Sequence, residues 1–349
     1  MMVQVDKELA LKPKVLQSNH NIHQLANFPS DLELCHQPGQ GLSLEPQDPS
    51  SFSDDVKVFG IAARTWDAAY HLVDYLSGSA CPSEIDNLNQ SPRVGDVVSF
   101  AHGPDRPTVP LPSLEMVLPP PQFQFDPPSP LFEALGSGKI HLLDLGSGTC
   151  YLPISLARNL SDLLPSKLVD SISITATDLP TVLPLMQRNT LSAHKPGQIQ
   201  VLTKSLVWGH TRQALSLLHS LDLANTRLLI TCSDLVFFPF LFAPLLRTLL
   251  VLTSPISPAK SPAVIFGYKE RSAVKEFPFF ELLGRYFLIQ PILSRSHSDQ
   301  PWSIHKPQSQ IHLFQATRHH STLNLDFSLI SDNDLSSYEQ SRLKAKHMG

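Results

Sequence analysis

An α/β fold, with one seven-stranded, mostly parallel sheet covered by helices on both faces, is the architecture the sequence predicts. Two observations point to it. From Ile140 onward, apolar runs of strand length alternate with amphipathic stretches of helix length, the pattern of a parallel sheet built from strand–helix units. The first of these strands carries Asp144 near its end and runs into Gly146-Ser-Gly148 and a helix, a turn at which a ligand can approach bare backbone.

Taken in order, residues 1 to about 55 are polar, show little periodicity and read as a poorly ordered leader. Trp66, Ala69, Tyr70, Val73 and Leu76 then recur at spacings of three and four, which predicts a short helix. A polar, proline-rich stretch from about 78 to 130, including Pro119-Pro120-Pro121, reads as a long insertion. Beyond it the expected elements are strand 140–145, helix 152–164, strand 171–177, helix 180–190 and strand 199–203. Helix 211–219, strand 227–233, helix 240–252, strand 262–268 and helix 273–284 follow. Runs near 286–292 and 310–316 read as two closing strands, and a polar tail occupies 321–349. One folded domain over about 56–320 is therefore expected.

Bulk properties narrow the function. The 349 residues are 42% hydrophobic and 17% charged, enough for a sizeable core, and the net charge of -4 argues against a nucleic-acid binder. Cys35, Cys81, Cys150 and Cys232 are scattered without metal-ligand spacing, so free thiols in a reducing compartment are expected and no metal site is predicted. His20, His23, His319 and His320 lie in polar segments and read as solvated. The first residues are too charged for a signal peptide, and no run of about 18 apolar residues suggests a membrane span. These features predict a cytoplasmic or cytoplasmic and nuclear protein, monomeric, with no membrane partner.

Several residues suit a nucleoside pocket. Where a dinucleotide-binding turn has its third glycine, this chain has Tyr151, a poor fit for a pyrophosphate. Asp144, just before Gly146, Ser147 and Gly148, fits instead a ligand with a positively charged amino-acid end. Asp178 ends the next predicted strand, where a carboxylate can accept both hydroxyls of a ribose or cap the following helix. Trp208, Ser233 and Trp66 are further candidates for an adenine pocket, although tryptophans are commonly core residues.

Six short motifs in this order resemble methyltransferase family 16, the methyltransferase-like 21 group of seven-β-strand protein-lysine methyltransferases. They are Arg64–Ala69, Asp144–Gly148, Thr177-Asp178, Val207–Gly209, Ser233–Phe237 and Gly267–Arg271, spread over about residues 58–317. The resemblance implies a Rossmann-like class I methyltransferase sheet and S-adenosyl-L-methionine as cofactor. It implies contacts to that cofactor from Trp66, Gly146, Ser147, Gly148, Asp178, Trp208 and Ser233, with Asp144 beside them. It also implies a lysine acceptor on a protein such as a translation factor, ribosomal protein or chaperone. Asp234 and Phe237 would lie beside the methyl-transfer point, with Tyr268, Lys269 and Arg271 near the acceptor side. Phe237, Phe238 and Tyr268 are expected to line a dry aromatic slot in which Asp234 orients the amine.

The chain departs from the family pattern in three places. Cys150 replaces a third glycine, which is expected to narrow the room near the cofactor. Phe237 replaces a tyrosine and removes a hydroxyl. The insertion is also longer than the family's usual connection. A catalytically weak methyltransferase-fold scaffold and a small-molecule N-methyltransferase remain as alternatives, and a nicotinamide or flavin oxidoreductase as a third. The absence of an Asn/Asp-Pro-Pro-aromatic motif after the fourth strand argues against an adenine or glutamine methyltransferase.

Overall fold

The computed structural model describes residues 55–78, 123–136, 138–221, 223, 226–254, 262–305 and 310–323, all within the compact unit Leu42–Gly349. Most of the expected leader, insertion and tail lie outside the described residues.

Chain order begins with a helical turn over 55–59 and a 3₁₀ turn Gly60–Ala63, followed by α1 (Asp67–Gly78), β1 (Gln124–Asp126) and α2 (Pro130–Gly136). The strand–helix units come next: β2 (Lys139–Leu145), α3 (Tyr151–Leu163), α4 (Ser166–Val169), β3 (Ile172–Asp178), α5 (Leu183–Ala193), β4 (Val201–Ser205) and α6 (Thr211–Ser220). They continue with β5 (Thr226–Ser233), α7 (Phe242–Leu252), β6 (Ala263–Lys269), α8 (Ala273–Gly284), β7 (Phe287–Arg295), β8 (Ser303–Ile304) and β9 (Ile311–Arg318). Each of the seven expected strands is present, displaced by at most a few residues. β1 and the short β8 were not expected.

The strands form one sheet in the order β1-β7-β9-β6-β5-β2-β3-β4, with β8 on β7. The five strands β2 to β6 pair in parallel, whereas β9 runs antiparallel between β6 and β7. The strand order reverses at β2, whose neighbours are β3 and β5. In open α/β sheets that reversal opens a crevice at the carboxyl ends of the strands.

Strand alternation divides the core into two layers. Ile140 and Leu142 of β2, Leu229 of β5 and Ile265 of β6 face α1 and α3; Leu143, Leu145, Ile230 and Phe266 face α6, α7 and α8. Six of the seven β2 residues are buried, as a strand covered on both faces requires. His141 fits there because its ring hydrogen-bonds Ser173 Oγ at 2.6 Å and Thr175 Oγ1 at 3.0 Å. α1 packs across α3 and β6, which brings the residues just before it to the crevice. No helix among the described residues is long and apolar enough to cross a membrane.

Candidate functional site

The carboxyl ends of β2, β3 and β5 open onto a cavity of about 430 Å³, a size that suits a small cofactor. Asp144, Gly146, Ser147 and Gly148 line it from β2, Asp178 from β3, Trp208 from the loop after β4, and Ser233, Asp234 and Phe237 from the end of β5. Trp66 reaches it from the chain just before α1; it stands outside that helix and donates its indole N–H to Ile61 O at 3.3 Å. Sequence positions more than 160 residues apart are thus brought to one space by sheet topology.

The turn after β2 explains both glycines. Gly146 has φ +61, and a Cβ there would stand 2.7 Å from Leu235 and 2.9 Å from Trp208. Gly148 has φ +50, and its Cβ would strike the Ala62 carbonyl oxygen at 2.7 Å. Close packing of the protein on itself therefore requires these glycines, with the 60–63 turn lying directly over Gly148. Ser147 Oγ donates to Asp144 O at 3.2 Å and accepts the Thr177 N–H at 3.1 Å, which ties β2 to β3.

Asp178 does not cap the following helix, because α5 begins only at Leu183 with Val182 as its N-cap. Its Oδ1 accepts the Leu179 N–H at 2.7 Å in the turn after β3, while Oδ2 accepts the Gly148 N–H at 2.8 Å. Each oxygen retains a lone pair, and the residue lines the cavity. Burial raises its pKa, and the two N–H donors partly offset that rise. Asp144 is buried and accepts the Thr231 hydroxyl at 2.6 Å; burial pushes its carboxyl up to about 7. A cationic ligand group beside it would restore the ionised form. Ser233 Oγ is buried with no hydrogen-bond partner at the wall of the same cavity. An orphaned hydroxyl of this kind calls for a ligand atom. These groups fit S-adenosylmethionine: carboxylates for a ribose and an ammonium, an indole for an adenine, and a hydroxyl for a polar edge. They suit a dinucleotide poorly, because Tyr151 lines the cavity where a third glycine would be expected at the pyrophosphate turn.

The site differs from expectation in three respects. Phe237 and Phe238 line the mouth, joined by Phe240, which stacks on Phe238 at 5.4 Å and is 66% exposed. Tyr268 is absent from the lining. Its alternation with Val264 and Phe266 turns it into the α7–α8 layer, where its hydroxyl donates to Glu276 and its ring packs on Phe280. Burial and that bond raise its pKa. The Asp234 side chain is fully buried and already committed: Arg271 grips both oxygens, with Nη1–Oδ1 at 2.9 Å, and the Lys269 N–H donates to Oδ1 at 3.3 Å. Orientation of an incoming amine by this carboxylate is therefore not what the geometry offers. Third, Cys150 does not narrow the cavity. It adopts φ +61, the conformation that makes glycine usual there, and points into the core beside Ile154, Ala176 and Val182.

The turn over 55–63 was not expected from the sequence. Val58, Phe59, Ile61 and Ala62 line the cavity, and Asp55 holds Arg188 of α5 through two bonds of 2.9 and 2.5 Å. The apolar run Val56, Val58, Phe59 and Ile61 was the available signal. Among the described residues, no group of three or more His, Cys, Asp or Glu side chains is placed to hold a metal ion.

Comparison with known proteins adds an independent finding. The model of a family described as lysine methyltransferase matches residues 46–286, more than half of the chain. No curated protein sequence matches. Among solved structures, a magnesium protoporphyrin IX methyltransferase of Synechocystis with bound S-adenosylhomocysteine is 12% identical, with a TM-score of 0.31 over 52% of this chain and 75% of that one. An O-methyltransferase family protein of Burkholderia thailandensis is 10% identical, with a TM-score of 0.33 over 53% and 52%. This chain thus spans about half the length of the Burkholderia protein. An S-adenosylmethionine-dependent methyltransferase of Anabaena variabilis is 12% identical, with a TM-score of 0.30 over 52% and 77%.

Proposed function

The chain belongs to the lysine methyltransferase family, and on that premise we propose that it methylates the ε-amine of a lysine on another protein, with S-adenosylmethionine as methyl donor. The observation that carries this reading is the convergence of Asp144, Asp178, Trp208 and the orphaned Ser233 hydroxyl on one cavity at the reversal of strand order.

In this reading Asp178 accepts the ribose hydroxyls on the lone pairs that Gly148 and Leu179 leave open. Asp144, ionised by a neighbouring cation, holds the amino-acid end. Trp208 and Trp66 supply flat walls, and Ser233 Oγ takes a polar edge of the base or sugar. When bound, S-adenosylmethionine would supply an electrophilic methyl carbon to the lone pair of the acceptor nitrogen, with its sulfur as the leaving group. The protein's contribution is alignment, which is worth roughly 7–11 kcal/mol for a well-oriented pair. The acceptor must also be uncharged, and lysine in water has a pKa of about 10.4. Phe237 and Phe238 at the mouth exclude water, which lowers the pKa of an amine between them and frees its lone pair. The proton that the acceptor ammonium gives up to solvent on entry balances the transfer, and the methylated product leaves as an ammonium.

A translation factor, ribosomal protein or chaperone is the substrate class that family membership favours. Purified protein incubated with methyl-labelled cofactor and an extract lacking the enzyme should label a discrete band, with the mass shift on a lysine. Label on small amines alone would replace the protein substrate with a metabolite. Failure to bind S-adenosylhomocysteine in calorimetry would remove the enzyme reading altogether.

A further inference from the structure

We propose that Arg271 is a positioning residue that neutralises Asp234 and steadies Trp66, so that the mouth of the cavity admits its acceptor as an uncharged amine. This rests on the lysine methyltransferase reading above and deepens it.

The observations concern three side chains from distant segments. Arg271, beyond the end of β6, grips both oxygens of Asp234, at the end of β5, and also donates to Lys269 O at 3.1 Å. Its guanidinium lies 5.4 Å from the centre of the Trp66 ring, within the range of a cation–π contact. The side chains of Arg271 and Asp234 are 16% and 0% exposed. A carboxylate this deeply buried must be matched by a cation. Arg271 is that cation, and its planar fork satisfies both oxygens at once.

The neighbouring charges do not compete for Asp234. Lys269 contributes its backbone N–H, while its Nζ is engaged 2.8 Å from Asp67 at the start of α1. Glu276 of α8 accepts the Arg271 and Ser272 backbone N–H groups and the Tyr268 hydroxyl. Glu270 faces His312 of β9 at 3.6 Å. Arg64 lies on the cavity wall, and Asp144 and Asp178 lie where the cofactor is proposed to bind. Among the described residues, the wall beside Phe237 and Phe238 therefore presents no uncommitted carboxylate. Such a mouth gives an ammonium no free carboxylate to replace its water, only the weaker attraction of aromatic faces, so a neutral amine enters at lower cost. Without Arg271, the same site would hold an unmatched buried anion that attracts the charged form.

The test titrates n-butylamine, a lysine side-chain mimic, into the full-length protein saturated with S-adenosylhomocysteine. With an amine pKa near 10.4, the uncharged fraction rises roughly 300-fold from pH 7.0 to 9.5. The wild-type affinity should rise by about two orders of magnitude over that interval. Arg271→Met should bind at least tenfold more tightly than wild type at pH 7.0, with little change by pH 9.5. The double variant Arg271→Met with Asp234→Asn should regain the wild-type slope, and Arg271→Lys should lie between. A merely structural Arg271 would weaken binding equally at both pH values and leave the slope alone. Wild-type binding that is absent, or independent of pH, overturns the proposal even if Arg271→Met fails to fold. Labelling of extract proteins by the wild type is scored separately; its failure with the amine pattern intact would sink the lysine substrate and not the role of Arg271.

Discussion

The Asp178 carboxylate accepts the Gly148 backbone N–H at 2.8 Å, a bond that joins the end of β3 to the turn after β2. One side chain thus shapes the turn and faces the cavity. Asp178→Ala should lower affinity for S-adenosylhomocysteine at least tenfold and lower stability by about 1–3 kcal/mol, since two N–H donors lose their acceptor. Calorimetry and thermal melting separate the two effects. Affinity unchanged in a folded variant would count against the ribose role.

Asp144 and His141 give stability a pH dependence of opposite sign. The Asp144 pKa is raised from 3.8 to about 7 by burial, so its contribution is complete below pH 3.8 and is lost as pH rises through 7. The His141 pKa is lowered from 6.5 to about 4 by burial and then by Lys204, so its contribution is present above 6.5 and is lost as pH falls through 4. The two slopes oppose each other between pH 4 and 6.5, and a shallow profile is expected there. Asp144→Asn should expose the His141 slope, with the melting temperature climbing from pH 4 to 6.5. A variant profile as shallow as the wild type would refute this.

Cofactor binding should in turn release a proton. A cationic ligand group beside Asp144 favours its ionised form, so affinity should increase as pH rises from 5 towards 7 and level off above it. At pH 6, the apparent binding enthalpy should vary with the ionisation enthalpy of the buffer. In Asp144→Asn that variation should vanish.

Gly148→Ala places a methyl group 2.7 Å from Ala62 O at a positive φ. Backbone on both sides gives the strain no cheap relief, and a loss of about 1–3 kcal/mol is expected. The 60–63 turn should lift off the cavity, weakening cofactor binding more than Gly197→Ala, whose Cβ meets nothing within 4 Å. Parallel melts and titrations of the two variants provide the comparison.

Asp55 and Arg188 clasp the 55–63 segment to α5. Arg188 is 48% exposed, so the pair contributes less than about 1 kcal/mol and is weakened by salt. Arg188→Ala should speed S-adenosylhomocysteine release a few-fold with little loss of stability, and high salt should narrow the gap from wild type. Stopped-flow tryptophan fluorescence reads both rates.

Much of the site was legible because its signals are local. A strand, a sharp glycine turn and a carboxylate at the next strand's end follow from residue order alone, and Asp144, Gly146, Gly148 and Asp178 meet at one cavity. The misplacement of Tyr268 could have been avoided, because Val264, Phe266 and Tyr268 alternate onto one face of β6. The commitment of Asp234 was not legible. Its partner lies 37 residues away on another strand's loop, and no periodicity records which cation turns towards it. Cys150 was misjudged for a similar reason: its φ can be suspected from a missing glycine, but its direction into the core depends on how α3 packs.

The sequence by itself determined the layered α/β class, the approximate strand and helix boundaries and the residues of the turns that line the cavity, since burial period and turn chemistry act over neighbouring residues. Tertiary structure alone decided that β9 inserts between β6 and β7, that the 55–63 segment crosses Gly148, and that Arg271 closes on Asp234 beside Trp66. Those outcomes depend on the pairing of edges and on the direction of buried side chains. Both are settled by the sum of packing and desolvation over the whole sheet rather than by any short stretch of chain.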